Sequence, residues 1–332
     1  MKKVILTGDR PTGPLHLGHY FGSLKKRVEM QSQYETYIMV ADVQALTDNF
    51  SDPDKVRKNV FEVVLDNLAV GIDPQYSNIF IQSLVPEIAE LTVFFSNLVT
   101  ITRLQRNPTV KQEVAQKKEI FKGGVTYGFL GYPISQAADI LSVRANVVPV
   151  GEDQLPMLEQ TREIVRKFNS IYGEIFPEPE AVVGEYARLV GLDGGVKMSK
   201  SMGNAIYLSD DNETVKKKVM SAVTDAKKVK KNDKGHPEAC AVYSYHKIFS
   251  PKEKDKIARD CKLGELGCVD CKKCLIKNIT EFLEPIQAKR QYYEKNMDSV
   301  KEIVAAGTKA AREKAKQTMS MVREKMKIDY KL

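Results

Sequence analysis

Val4-Ile5-Leu6-Thr7-Gly8-Asp9-Arg10-Pro11-Thr12-Gly13-Pro14-Leu15-His16-Leu17-Gly18-His19 runs from an apolar strand, through a turn rich in proline and glycine, into a stretch that reads as helix from His16 onward. A strand that leads into a helix start in this way aims free backbone N–H groups at the space beyond the strand, which suits an anion such as phosphate. The alternation then repeats. Further strand candidates are Tyr37 to Val40, Asn78 to Gln82 and Val147 to Val150. Between them Asp52-Pro53 supplies an N-cap and first-turn pair, Val56, Val60, Val63 and Val64 recur at helical spacing, and Gly71 stands just past the end. This order predicts an α/β fold, a Rossmann-like doubly wound parallel sheet. Ligands bind such sheets beyond the carboxyl ends of the strands, where Asp42, Gln44 and Gly151 to Gln154 fall.

A second signature, Lys197-Met198-Ser199-Lys200-Ser201, follows Gly194-Gly195. Its two lysines, three residues apart, suit a loop that closes on a polyphosphate, because flexible ammonium groups follow a migrating pyrophosphate. His16 and His19 are two of four histidines and stand one turn apart. As a metal pair they lack further ligands within the motif. As hydrogen-bond donors they act where charge moves in a transition state, and satisfied structural histidines are the competing reading.

Length and composition place these motifs in a protein of about two domains, with ordinary hydrophobic content and no apolar run long enough to span a membrane. The expected location is the cytoplasm. The expected division is a catalytic domain over 1–208, with a helical insertion around 85–141, and an all-helical domain over 209–332. Ser209 is the expected cap of a helix from Asp211 to Val223, and Ala311, Ala315, Met319, Val322 and Met326 form one face of a last helix. The net charge is +8, and the lysine runs 216–218, 227–228, 230–231 and 272–273 all lie in this second part. One such run reads as a solvated face, whereas several together favour a polyanion such as nucleic acid.

The two signatures, in this order and spacing, resemble those of class I aminoacyl-tRNA synthetases. Met39-Val40-Ala41-Asp42, Asn107-Pro108-Thr109-Val110-Lys111, Tyr132 to Leu141 and Val150-Gly151-Glu152-Asp153-Gln154 narrow the resemblance to the bacterial tryptophanyl-tRNA synthetases, over nearly the whole chain. The resemblance implies activation of L-tryptophan by ATP and Mg²⁺ and transfer to tRNA(Trp) by a homodimer, with its interface near the segment from Glu87 to Leu141. It implies ATP contacts from Arg10, Pro11, Thr12, His16, Gly18, His19, Gly151, Glu152, Asp153, Met198, Ser199 and Ser201. Lys111, Lys197 and Lys200 then hold the leaving pyrophosphate. Indole offers one N–H donor and no acceptor, so its pocket needs a buried acceptor, a role that suits Asp139 beside the small Ala137 and Ala138. Leu6, Gln44, Tyr132, Gln136, Val150 and Gln154 are implied around it. The chain departs from commoner family residues at Arg10, His19, Gln44 and Gln136.

Cys261, Cys268, Cys271 and Cys274 fall within fourteen residues, with Cys240 upstream. Such spacing suits a metal, with reduced structural thiols as the alternative. The resemblance implies a four-iron cluster on Cys240, Cys261, Cys268 and Cys271, with Cys274 as a possible replacement and zinc as the other metal that four thiolates fit. Tyrosyl-tRNA synthetase, a nucleotidyltransferase and a non-catalytic tRNA-binding paralogue are the competing functions.

Overall fold

A computed structural model describes residues 2–183, 189–195, 197–200 and 202–330. Ser201 therefore lies outside the described residues. The chain begins with β1 (Val4–Asp9), α1 (Leu17–His19), a π turn (Tyr20–Leu24), α2 (Lys25–Met30), β2 (Glu35–Val40), α3 (Asp42–Asn49), α4 (Pro53–Ala69) and β3 (Ser77–Ile81). It continues through α5 (Glu87–Ser96), α6 (Ile101–Arg106), α7 (Pro108–Gln116), α8 (Tyr127–Ser142), β4 (Val147–Val150), α9 (Leu155–Tyr172) and β5 (Glu180–Val183). The rest is helical: α10 (Asn212–Ser221), α11 (Ala241–Phe249), α12 (Lys254–Leu263), α13 (Cys268–Lys295) and α14 (Met297–Lys325).

The strands form one parallel sheet in the order β3-β2-β1-β4-β5. The chain reverses its direction of winding between β3 and β4, so the crevice beyond β1 and β4 is where a doubly wound sheet receives ligands. The predicted cap of α4 is present, with Asp52 accepting from the Lys55 N–H at 3.1 Å. Gly71, at φ +110°, turns the chain away after it. β5 escapes the sequence reading because Glu180-Ala181-Val182-Val183 is short and half-exposed at the sheet edge.

Two further expectations need correction. Asp211, not Ser209, caps α10: its side chain accepts from the Thr214 N–H at 2.7 Å, the reach an N-cap residue needs. The helix from His16 is interrupted by the π turn, which presents the consecutive rings of Tyr20 and Phe21 to Phe282 on α13 at 5.1 and 5.7 Å. The apolar face of α14 is as expected, but Ala311, Ala315, Met319 and Val322 pack in one core with Leu6, Tyr37 and Phe80 of the sheet. The last helix therefore returns to cover the strands rather than staying among α10 to α13.

Candidate active site

The loop between β1 and α1 is held from several sides. Asp9, at the end of β1, is buried with Arg27 of α2, whose Nη1 and Nη2 donate to its carboxylate at 2.5 and 3.1 Å. The Arg27 guanidinium holds Asp9 below the usual carboxylate range despite the opposing effect of burial. Arg10 pairs with Asp48, which also takes Lys117 at 2.6 Å. Pro11 is buried and Thr12 half-buried.

His16 is only 5 % exposed, and its backbone N–H donates to His19 Nδ1 at 3.2 Å. With Nδ1 accepting, the His19 ring proton sits on Nε2, free to donate. Burial, reinforced by Lys200 and Lys197, lowers His16 to about 3, and burial with neighbouring His16 also lowers His19 far below its ordinary value. Both rings are therefore neutral donors at neutral pH. Gly18 allows this packing, since a Cβ there would stand 2.8 Å from the His16 ring.

The fold brings the second signature onto the first. Leu17 N–H donates to Ile206 O at 3.0 Å and Leu208 N–H to Leu15 O at 2.9 Å, and Met198 is buried with Leu15 and Leu17. Lys200 Nζ donates to Gly13 O at 2.5 Å, while Lys197 Nζ reaches Asp153 Oδ2 at 3.2 Å. Burial lowers Lys200 to about 8, opposed by the charges of Asp9 and Asp66. Ser199 N–H is tied to Asn204 Oδ1 at 2.8 Å.

Gly151 and the turn Glu152–Gln154 follow β4, with Glu152 and Asp153 exposed. Thr109 Oγ1 donates to Asp153 O at 3.1 Å, and buried Asn107 holds Gln160 of α9 at 3.2 Å, which fixes α7 beside this turn and brings exposed Lys111 to the same end of the sheet. Gln154 Nε2 donates to Asp153 Oδ2 at 3.3 Å.

On α8, Tyr132, Gln136 and Asp139 fall on one helical face. Asp139 is 1 % exposed among Ala137, Ala138 and Ile140. Its Oδ1 accepts from Gln82 Nε2 at 2.7 Å, and its Oδ2 has no hydrogen-bond partner. Burial raises Asp139 to about 7, against the Gln82 hydrogen bond and the nearby Gln44 amide and with the charge of Asp42. Gln44 Nε2 donates to Tyr132 O at 3.4 Å, and the Gln44 N–H donates to Gln82 Oε1 at 3.0 Å. Leu6 is buried on β1, and Val150, at the end of β4, and Gln136 are half-buried.

Sequence reasoning misses Gln82, because it counts that residue as the end of a strand. Its position at a strand's carboxyl end is the signal that marks it. Asp42 joins the same frame by accepting the Ser83 N–H at 3.0 Å.

Away from the sheet, Cys240, Cys261, Cys268 and Cys271 line one small cavity together with Lys228, Asp225 and Tyr243. Cys274 lies outside it, with its thiol 3.8 Å from Glu253. Burial, then the neighbouring sulfurs, pushes Cys271 up to about 12. The described residues contain no group of three His, Cys, Asp or Glu side chains placed to hold a metal ion. No helix among them is long and apolar enough to cross a membrane.

Residues 2–284 match the family described as "tRNA synthetases class I (W and Y)". The chain is 50% identical over 336 residues to the tryptophan–tRNA ligase of Clostridium longisporum, covering 99% of this chain and 98% of that one. It is 49% identical over 343 residues to the tryptophan–tRNA ligase of Streptococcus mutans, covering 99% of each. A crystal structure of tryptophanyl-tRNA synthetase from Campylobacter jejuni, complexed with ADP and tryptophan, superposes with a TM-score of 0.86 at 33% identity, over 98% of this chain and 99% of that one. On its fold and on relatives that match it from end to end, the chain belongs to the class I tRNA synthetases and, among them, to the bacterial tryptophan–tRNA ligases.

Proposed function

We propose that the loop from Arg10 to His19, the turn from Gly151 to Asp153 and the lysine loop hold ATP, while Asp139 and its neighbours select tryptophan. The observation that carries this reading is the buried Asp139 Oδ2, left without a partner beside two alanines. A buried acceptor costs free energy until a donor meets it, and an indole N–H is such a donor. Tyrosine would bring a hydroxyl that both donates and accepts, and phenylalanine would bring nothing.

In the first step the tryptophan carboxylate attacks the α-phosphorus of Mg-ATP. A new P–O bond forms to the carboxylate, the bond between the α-phosphorus and its bridging oxygen breaks, and pyrophosphate leaves with the electron pair. The nucleophile is already ionised, so positioning and charge neutralisation carry the step. His19 Nε2–H donates to phosphate oxygen as a neutral group, and His16 shapes the turn. Lys200 exchanges Gly13 O for the phosphates, Lys197 exchanges Asp153, and Lys111 approaches from α7. In the second step the 2′-hydroxyl of the terminal adenosine of tRNA attacks the acyl carbon: the ester C–O bond forms, the acyl C–O bond to the phosphate breaks, AMP leaves with the electron pair, and the hydroxyl proton passes to solvent.

The helical part from α10 to α13, with its lysine runs, is the proposed contact with tRNA. The four cysteines around the cavity are the proposed ligands of a four-iron cluster. Each thiolate of such a cluster binds its own iron, so the ligands need not converge as they would around one zinc at about 2.3 Å. When bound, the cluster would tie the segment before α11 to α12 and α13. A homodimer in the cytoplasm completes the reading. Its proposed interface runs over α5 to α8, where Val93 and Ile101 are exposed apolar residues.

The testing experiment is amino-acid-dependent exchange of labelled pyrophosphate into ATP. Exchange with tryptophan and not with tyrosine or phenylalanine is expected; exchange with tyrosine overturns the pocket assignment.

A further inference from the structure

α4 carries two adjacent, fully buried polar residues, Asp66 and Asn67, that touch neither signature's functional side chains. Asn67 Nδ2 reaches Asp9 Oδ2 at 3.3 Å, and Asp66 Oδ2 accepts from the Leu15 N–H at 2.6 Å. One turn of α4 thus grips both ends of the loop that runs from Asp9 to Leu15. The Asp9 end has Arg27 as its cation. The Leu15 end takes its cation from far along the chain: Arg290 of α13, 5 % exposed, donates Nη1 to Asp66 Oδ1 at 2.5 Å. Its remaining nitrogens engage Glu62 and, at 3.1 Å, Glu294.

Burial raises Asp66 to about 7 although Arg290 pulls the other way. After Arg290, the next cation whose charge acts on Asp66 is Lys200. Removing the guanidinium would leave Asp66 buried without its partner, a costly arrangement. The carboxylate would then compete for the Lys200 ammonium, or take a proton and lose its hold on Leu15.

We propose that Arg290 is a positioning residue for ATP: through Asp66 it fixes the Leu15 N–H, and so the entry to His16-Leu17-Gly18-His19, while leaving Lys200 free for phosphate. This rests on the reading of that loop as the ATP site. The seat of Tyr20 and Phe21 on Phe282 of the same helix acts in the same direction. α13 thereby contributes to adenylation without touching a substrate.

The test is pyrophosphate exchange by the purified full-length protein carrying Arg290→Met. Loss of one partner of a buried pair predicts a KM for ATP raised about tenfold or more with the KM for tryptophan within about twofold. Adding Asp66→Asn removes the carboxylate that competes for Lys200, so the double variant should recover the ATP KM to within about threefold of the parent. An unchanged ATP KM, or ATP and tryptophan KM values that rise together, overturns the proposal. Should Arg290→Met not fold, Arg290→Lys keeps the charge but loses the planar fork; it should still raise the ATP KM selectively, and an unchanged value overturns the proposal. Lys200→Ala is run beside these. Full exchange by Lys200→Ala would overturn the ATP-site reading itself, whereas an inactive Lys200→Ala beside a normal Arg290→Met overturns the role of Arg290 alone.

Discussion

Gln82 Nε2 donates to Asp139 Oδ1 at 2.7 Å, joining the end of β3 to the middle of α8. The amide has no freedom to flip, because its Oε1 accepts from the Gln44 backbone N–H at 3.0 Å. One carboxylate oxygen is thereby occupied, and the other is buried without a hydrogen-bond partner.

The first prediction concerns that amide. Gln82→Met keeps the volume and removes the donor, so Asp139 loses its fixed orientation. A lost hydrogen bond to a charged group is worth roughly 1.5–3 kcal/mol, which predicts a tryptophan KM raised about tenfold or more. The ATP KM should stay unchanged in the same exchange assay.

If Asp139 holds the indole as proposed, its raised carboxyl predicts tryptophan binding that depends on pH. In the free protein its carboxyl titrates near 7, and the indole N–H favours the ionised form, so binding expels a proton below that value. Affinity should be full above pH 7 and fall by up to about tenfold per pH unit below it. Calorimetric titration of tryptophan between pH 5.5 and 8.5 checks this, and Asp139→Asn should bind weakly with a flat profile.

Lys200 predicts a dependence of opposite sign for ATP. Its ammonium, lowered to about 8 in the free protein, is charged below that pH and lost above it, so the ATP KM should climb as pH rises through 8. His16 at about 3 and His19, also lowered, contribute no step between pH 6 and 9. Asp66, raised to about 7, holds the Leu15 N–H of the same loop, so an inflection near 6.5 in the ATP KM that persists in Asp66→Asn would contradict the neutral-donor role given to His19.

The cysteine cavity yields a comparison of two variants. Cys240 lines the cavity and Cys274 faces Glu253. After anaerobic purification, Cys240→Ser should lose bound iron, sulphide and absorbance near 400 nm, while Cys274→Ser should retain them. Zinc without iron in the parent protein would replace the cluster by a different metal.

The fold and the meeting of the two signatures were legible because local pattern carries them. Strand, turn and helix start are contiguous from Val4 to His19, and Asp52-Pro53 caps its own helix. What stayed hidden depends on distant partners. The π turn at Tyr20 is explained by Phe282, Asp66 by Arg290, and the apolar stripe of α14 by a sheet face at the other end of the chain. Asp139 was legible as a lone acid among small apolar residues. Gln82 was not, since nothing in its neighbours shows which way an amide at a strand end will point.

The central claim is that the free Asp139 oxygen selects the indole N–H. It is tested most directly with the tryptophan analogue in which sulfur replaces that N–H, benzothienylalanine, by comparing kcat/KM for adenylation with the two amino acids. A pocket that leaves a buried acceptor unpaired rejects the wrong ligand by roughly 10³-fold or more. The parent protein should therefore prefer tryptophan by that order, and Asp139→Ala should bring the two within about tenfold of each other. A parent protein that uses both equally well, or a preference that survives Asp139→Ala, would contradict the account.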